Sequence, residues 1–224
     1  ATAYDYLAKI FDKTDRPEKA ASYWYQAYTL APGNFSAEKH SHLGHTLAKQ
    51  GDLDKAIACY RRALQLKPNL VEAYLRLGEI LSHQGKQQEG ISCYQRAIEH
   101  NSKNAESYYL LGKAWTSLQD AQKAIALYQQ AVKLQQDFWE AHHDLGDALA
   151  KQEKWQAAIS CYQRAIALNP QFSWSYNNLG DVLLKAQQWD KAVAVFEKAI
   201  ALNPEFAWSH YNLGEALVGC KQWE

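Results

Sequence analysis

The chain has 224 residues, 47% of them hydrophobic, enough to bury a sizeable core as one large domain or two small ones. Twenty-four Lys and Arg balance twenty-four Asp and Glu, so no charge excess marks it as a partner of nucleic acid or of an anionic membrane surface. No stretch approaches the ~18 apolar residues of a membrane helix, and the first residues lack the basic and apolar regions of a signal peptide, so the expected compartment is cytoplasmic.

In chain order, the first element is a helix whose apolar side carries Tyr4, Leu7, Ala8 and Phe11, spaced for one face at about 100° per residue. A turn near position 15 leads to Pro17, at the first turn of a second helix where a missing N–H is tolerated. That helix buries Ala20, Trp24 and Ala27 and stops before Pro32. After residues 1–34 come two inserted residues, Phe35 and Ser36, and the plan then recurs with a period of 34 over 37–70, 71–104, 105–138, 139–172 and 173–206, with a partial unit at 207–224. Four ladders fix this register. Leu-Gly stands at 43–44, 77–78, 111–112, 145–146, 179–180 and 213–214, each time with Tyr or His three residues before the Leu. Ala20, Ala56, Gly90, Ala124, Ala158 and Ala192 form the second ladder; Trp24, Tyr60, Tyr94, Tyr128, Tyr162 and Phe196 the third; Ala27, Ala63, Ala97, Ala131, Ala165 and Ala199 the fourth.

The small residues at positions 8 and 20 allow close approach of the two helices of a unit, and the bulky residue at 24 fills the space beside them. Gly51 and Gly85 mark the turn inside two of the units, and Pro68, Pro170 and Pro204 end second helices. Helices of about 14 residues are marginal alone in water, so stability has to come from stacking on neighbours.

An aromatic at 4, Leu-Gly at 7–8, Ala at 20, an aromatic at 24, Ala at 27 and Pro at 32 resembles the tetratricopeptide repeat (TPR) family, over essentially the whole chain. Ala8 replaces the glycine of the first unit, and Ser102 and Gln136 replace the proline of the third and fourth. The resemblance implies an all-α fold, a right-handed α-solenoid (superhelix) of stacked helix-turn-helix units, with the first helix of each unit lining a concave groove.

Positions 2, 6 and 9 lie opposite the buried stripe of the first helix and would face that groove. In the last units they read Trp174, Asn178 and Asp181, then Trp208, Asn212 and Glu215, with Asp144 and Asp147 in the unit before. Two tryptophans in register suggest a contact platform. Two asparagines suit the N–H and C=O of an extended chain, and the carboxylates favour a basic segment. The asparagines are similar to the ladder in the repeat region of O-linked N-acetylglucosamine transferases, with two rungs matching and Asp144 interrupting the next. The competing reading packs Trp174 and Trp208 between repeats, on Phe172, Phe206 or a neighbouring helix. The Lys/Asn clamp with which some family members hold a C-terminal carboxylate has no counterpart, since Lys9, Arg76 and Lys113 are scattered among Glu residues.

Cys59, Cys93 and Cys161 share position 23 and Cys220 sits at position 14. Equivalent positions in stacked units lie about 8–10 Å apart, beyond disulfide reach, so buried free thiols are expected. His40, His42 and His45 lack further ligands to complete a metal site, and His142-His143 divide between core position 4 and the groove edge. No phosphate loop, nucleophile elbow or H-E-x-x-H helix is present.

The expectation is a non-catalytic scaffold with no cofactor or metal, binding a protein or extended peptide, with a basic one favoured and neither nucleic acid nor membrane as partner. The alternative is the regulatory or substrate-recognition region of a longer enzyme, such as a glycosyltransferase or methyltransferase, with Leu213, Leu217 and Trp223 forming an apolar side that further chain would cover. Self-association through that side is a third expectation.

Overall fold

The computed structural model describes residues 2–31, 33 and 35–221. Thirteen α-helices follow one another among them, with no strand. They are α1 Thr2–Lys13, α2 Pro17–Leu30, α3 Ala37–Lys49, α4 Leu53–Leu66, α5 Val71–His83, α6 Gln87–His100, α7 Ala105–Ser117, α8 Ala121–Leu134, α9 Trp139–Ala150, α10 Trp155–Leu168, α11 Ser173–Lys185, α12 Trp189–Leu202 and α13 Ala207–Lys221. Pro32 and Trp223, named above, lie outside the described residues. The chain forms two compact units, Ala1–Leu110 and Leu111–Glu224, dividing within α7. Each is an α-solenoid segment in which consecutive helices pack on one another. No described helix is long and apolar enough to cross a membrane.

The turn inside each repeat has one geometry. Position 15 is left-handed every time, at Asp15 (φ 53°), Gly51 (83°), Gly85 (80°), Gln119 (61°), Glu153 (56°) and Gln187 (56°). The N–H of the next residue then reaches the carbonyl five residues back, Arg16 to Phe11, Lys86 to Leu81 and Gln188 to Leu183 among them, each at 2.9 Å. The N–H of position 15 itself bonds the carbonyl three back, as from Glu153 to Ala150 at 2.9 Å. This pair of bonds closes a helix C-terminus by satisfying carbonyls that would otherwise lack partners. Second helices end uniformly too: α6 and α8 stop at the same register as α10 and α12, although Ser102 and Gln136 stand where the latter have Pro170 and Pro204. The proline reinforces a stop that the packing already imposes.

Glycine at position 8 makes room for the ring at position 24 in α5, α7, α9 and α11, whereas the first unit seats Ala8 in the same cluster as Trp24. A Cβ on Gly146 would lie 2.7 Å from the Tyr162 ring, and one on Gly180 2.5 Å from Phe196. The alanines at 20 and 27 are sealed under these rings. Position 3 (Ala73, Ser107, Ala141, Ser175, Ser209) and position 10 (Thr46, Ile80, Ala114, Ala148, Val182, Ala216) are also buried, outside the expected stripe of 4, 7, 8 and 11. The reason is that a first helix packs on its own second helix and also on a neighbouring repeat, which widens its buried arc. Position 4 is largely a tether instead. Tyr108 and Tyr176 donate from their hydroxyls to the carbonyls of Ser102 and Pro170, both at 3.3 Å, and His142 and His210 meet Gln136 and Pro204 in the same way. The expected placement of His142 and His143 is thereby reversed. His142 is half-buried at this tether, and His143 lies in the core with Nδ1 2.9 Å from Ser175 Oγ.

The insertion has a structural role. Phe35 is buried, edge-on to Trp24 and His40, and Ser36 caps α3 by accepting the Lys39 N–H. Nearby, between α2, α3 and α4, is an open cavity of about 660 Å³ that Tyr25, Tyr28, His40 and Leu47 help to line. Cys59, Cys93, Cys161 and Cys220 form no disulfide; Cys93 is buried and the other three half-buried. Burial pushes the thiols of Cys59, Cys93 and Cys161 up to about 11, away from the reactive thiolate form.

Candidate functional site

All eight residues singled out for the groove lie in the Leu111–Glu224 unit, on its first helices α9, α11 and α13. Trp174 and Trp208 open these helices at position 2 and remain 50% and 54% exposed. Each indole is packed on one side. Trp174 leans on Phe206 with ring centroids 4.9 Å apart, and Trp208 stacks on Tyr211 at 5.6 Å. One unit earlier Trp139, at position 1, packs in a similar way against Phe172 at 4.7 Å. These ring contacts stay within a repeat, Trp174 with Phe206 inside residues 173–206 and Trp208 with Tyr211 on α13, and about half of each indole remains open.

The asparagines are placed differently from expectation. Asn178 Nδ2 donates to Asp147 Oδ1 at 2.8 Å, and the Tyr162 hydroxyl donates to the same oxygen at 2.6 Å. Asn212 Nδ2 donates to Asp181 Oδ1 at 2.5 Å, and Asn212 is only 3% exposed. Each amide therefore fastens its helix to the carboxylate one repeat back. Pairing of Asn212 with a peptide backbone is corrected on the ground of its burial: an amide closed off from the surface is not offered to a guest. The Asp181 carboxyl is pushed above its ordinary value by burial, an effect opposed by hydrogen bonds from Trp208 and Asn212. Asp144 and Asp147 are half-buried, and Glu215 is exposed.

A second set of clasps escaped the sequence reading. Ser209 Oγ donates to Asn177 Oδ1 at 2.6 Å, and His143 meets Ser175 in the corresponding place, both in buried surroundings. The recurrence of serine at position 3, in Ser107, Ser175 and Ser209, was the available signal. His143, Asp144 and Asp147 also present donor atoms that all lie within 4.8 Å of one another. On α13, Leu217 and Val218 are exposed and Leu213 is half-buried, while Gly219 is tucked under Trp189, whose ring lies 2.5 Å from the position a Cβ would take.

The equivalent face of the Ala1–Leu110 unit is chemically different. Arg76 binds Glu72 at 2.7 Å, Glu79 at 2.6 Å and Glu106 at 3.0 Å, so the carboxylates at positions 2 and 9 there share an arginine at position 6. Aromatic surface flanked by acid is concentrated in the other unit.

A search of curated proteins returns no match for this chain. The family model described as TPR repeat matches residues 44–85, 115–153, 146–187 and 180–219, and that described as tetratricopeptide repeat matches 71–104. Among solved structures, MamA is 29% identical, with a TM-score of 0.67 over 74% of this chain and 96% of that one. PilF of Pseudomonas aeruginosa is 17% identical, with a TM-score of 0.82 over 96% of each chain. YrrB, described as a TPR protein with an unusual peptide-binding site, is 22% identical, with a TM-score of 0.70 over 86% of this chain and 98% of its own. With helix-turn-helix units in one register and family matches over most of their length, the chain belongs to the tetratricopeptide repeat family.

Proposed function

We propose that the chain is a non-catalytic scaffold that holds an extended basic polypeptide against the first-helix face of its Leu111–Glu224 unit. TPR repeats serve protein interaction in general, and the solved relative YrrB is described as peptide-binding. The observation that carries the more specific reading is the pair of half-exposed indoles, Trp174 and Trp208, at one repeat position in successive units. Trp174 is already backed by Phe206 and the Trp208 indole is hydrogen-bonded to Asp181, so little side-chain freedom is lost when a ligand covers the outer sides. Lysine and arginine complement such a surface twice, through cation–π contact with the indoles and through attraction to Glu215 and Asp144.

The test is fluorescence anisotropy with two labelled peptides of equal length, one rich in lysine and one rich in glutamate. The lysine-rich peptide is expected to bind about tenfold more tightly or better, equivalent to ~1.4 kcal/mol. The Trp174→Ala, Trp208→Ala double variant should lose that binding while keeping its helical circular dichroism. Equal binding of the two peptides, or undiminished binding by the folded double variant, would defeat the reading.

A further inference from the structure

We propose that His143, Asp144 and Asp147, all on α9, form a binding site for a borderline divalent cation such as Zn²⁺. The three donor atoms lie within 4.8 Å of one another. Bonds of about 2.1 Å place two ligands of one ion about 3.4 Å apart in a tetrahedral arrangement and about 4.2 Å apart when they are trans. His143 Nε2 and Asp147 Oδ2 are 3.8 Å apart, inside that span and too far for a hydrogen bond.

The second observation is the fixing of the imidazole. His143 is nine-tenths buried and wedged against Phe172, with ring centroids 5.1 Å apart. Its Nδ1 is held by Ser175 Oγ at 2.9 Å, which leaves Nε2 directed at the carboxylate. When Nδ1–H donates to the serine, a lone pair on Nε2 faces a carboxylate oxygen, two electron-rich atoms across a gap that a cation would fill. Metal-binding histidines are oriented by a partner on the other ring nitrogen in this same way. Asp147 is steadied as well, because Tyr162 and Asn178 both donate to its Oδ1 and leave Oδ2 as the ligand atom.

Asp144 and Asp147 line a small cavity of about 180 Å³ together with Thr116, Ser117, Lys113 and Lys151, which gives an ion a route to the two carboxylates and room for coordinated water beside them. One imidazole with two carboxylates suits zinc and its neighbours better than magnesium, which prefers an all-oxygen octahedron. The two lysines bordering the cavity keep the expected affinity in the micromolar range.

The site shares Asp144 with the acidic flank of the proposed peptide surface but none of the tryptophans, and its test uses metal alone. Isothermal titration of the chelator-treated chain with zinc chloride should give one ion per chain and no comparable signal with magnesium. The His143 Nε2 resonance should move in long-range ¹H–¹⁵N spectra as zinc is added. Asp144→Asn, which keeps the size of the side chain and touches none of the Asp147 clasps, should weaken binding about tenfold or more and abolish any zinc-induced rise in melting temperature. Failure to bind, unchanged affinity in Asp144→Asn, or shifts confined to His40, His42, His45 or other histidines with His143 unmoved would overturn the proposal. A protonated Nε2 that ignores zinc would overturn it equally.

Discussion

The tyrosines at position 24 share one scaffold yet differ in what their hydroxyls meet. Tyr162 donates to Asp147 at 2.6 Å, and Tyr128 pairs with Thr116 at 3.0 Å, whereas the buried Tyr60 hydroxyl has no protein partner. Tyr162→Phe should therefore cost about 1.5–3 kcal/mol, the worth of a hydrogen bond to a charged group. Tyr60→Phe, which removes a buried polar atom without breaking a pair, should fall between no change and ~1 kcal/mol more stable. Urea unfolding of the two variants measures the difference; equal losses would mean that the hydroxyls contribute only through ring packing. Asp181 gives a pH signature. Its folded carboxyl titrates above the unfolded value because of burial, so the native state binds the extra proton and stability falls as pH rises from the ordinary carboxylate value through the raised one. Asp181→Asn keeps an acceptor for Asn212 and removes the buried charge. Melting curves between mildly acidic and neutral pH should show that segment of the profile flattened, and an unchanged profile would count against the assignment. None of this was visible at the level of single residues, because the sequence shows that Asn212 and Asp181 recur in register but not that they face each other across a repeat boundary.

At the scale of the helix pair, the same left-handed turn is imposed on residues that favour it and on residues that do not. Only Gly51 and Gly85 are glycines, while Asp15, Gln119, Glu153 and Gln187 take positive φ despite a Cβ. Glu153→Gly and Gln187→Gly should each raise stability by about 0.5–1 kcal/mol, and Gly51→Ala should lower it by about 1–2 kcal/mol. Thermal melts of the three variants decide the matter, and a loss on introducing glycine would mean that these turns are set by contacts of the replaced side chains. The two glycines made the turn legible in two units and the period carried it to the rest. The contact between glycine 8 and the ring at 24 was legible for a similar reason, since a ladder of small residues running beside a ladder of large ones is what close packing of two helices demands. The burial of positions 3 and 10 was not. A periodicity argument counts one covered face, and a helix stacked between neighbours has a wider covered arc.

At the scale of the whole molecule, the 34-residue period was enough to give an α-solenoid of paired helices, because local propensity, turn chemistry and seam packing all repeat together. The candidate surface was legible in part. Trp174 and Trp208 stood out as large apolar residues on the polar side of their helices, and they are exposed; Asn178 and Asn212 were singled out by the same logic, and an N–H of each ties its helix to the repeat before, with Asn212 buried and Asn178 half-buried. Sequence position gives direction from a helix axis but not distance to the next helix, and that distance separates the two cases. The central claim is that first helices of the Leu111–Glu224 unit, and not its second helices, meet the partner. Backbone chemical-shift mapping during titration with a lysine-rich peptide tests it most directly. Shifts should gather on α11 and α13 around Trp174 and Trp208, extend to Asp144 on α9, and leave α10 and α12 unmoved. Shifts confined to α10 and α12, or none at saturating peptide, would contradict the account.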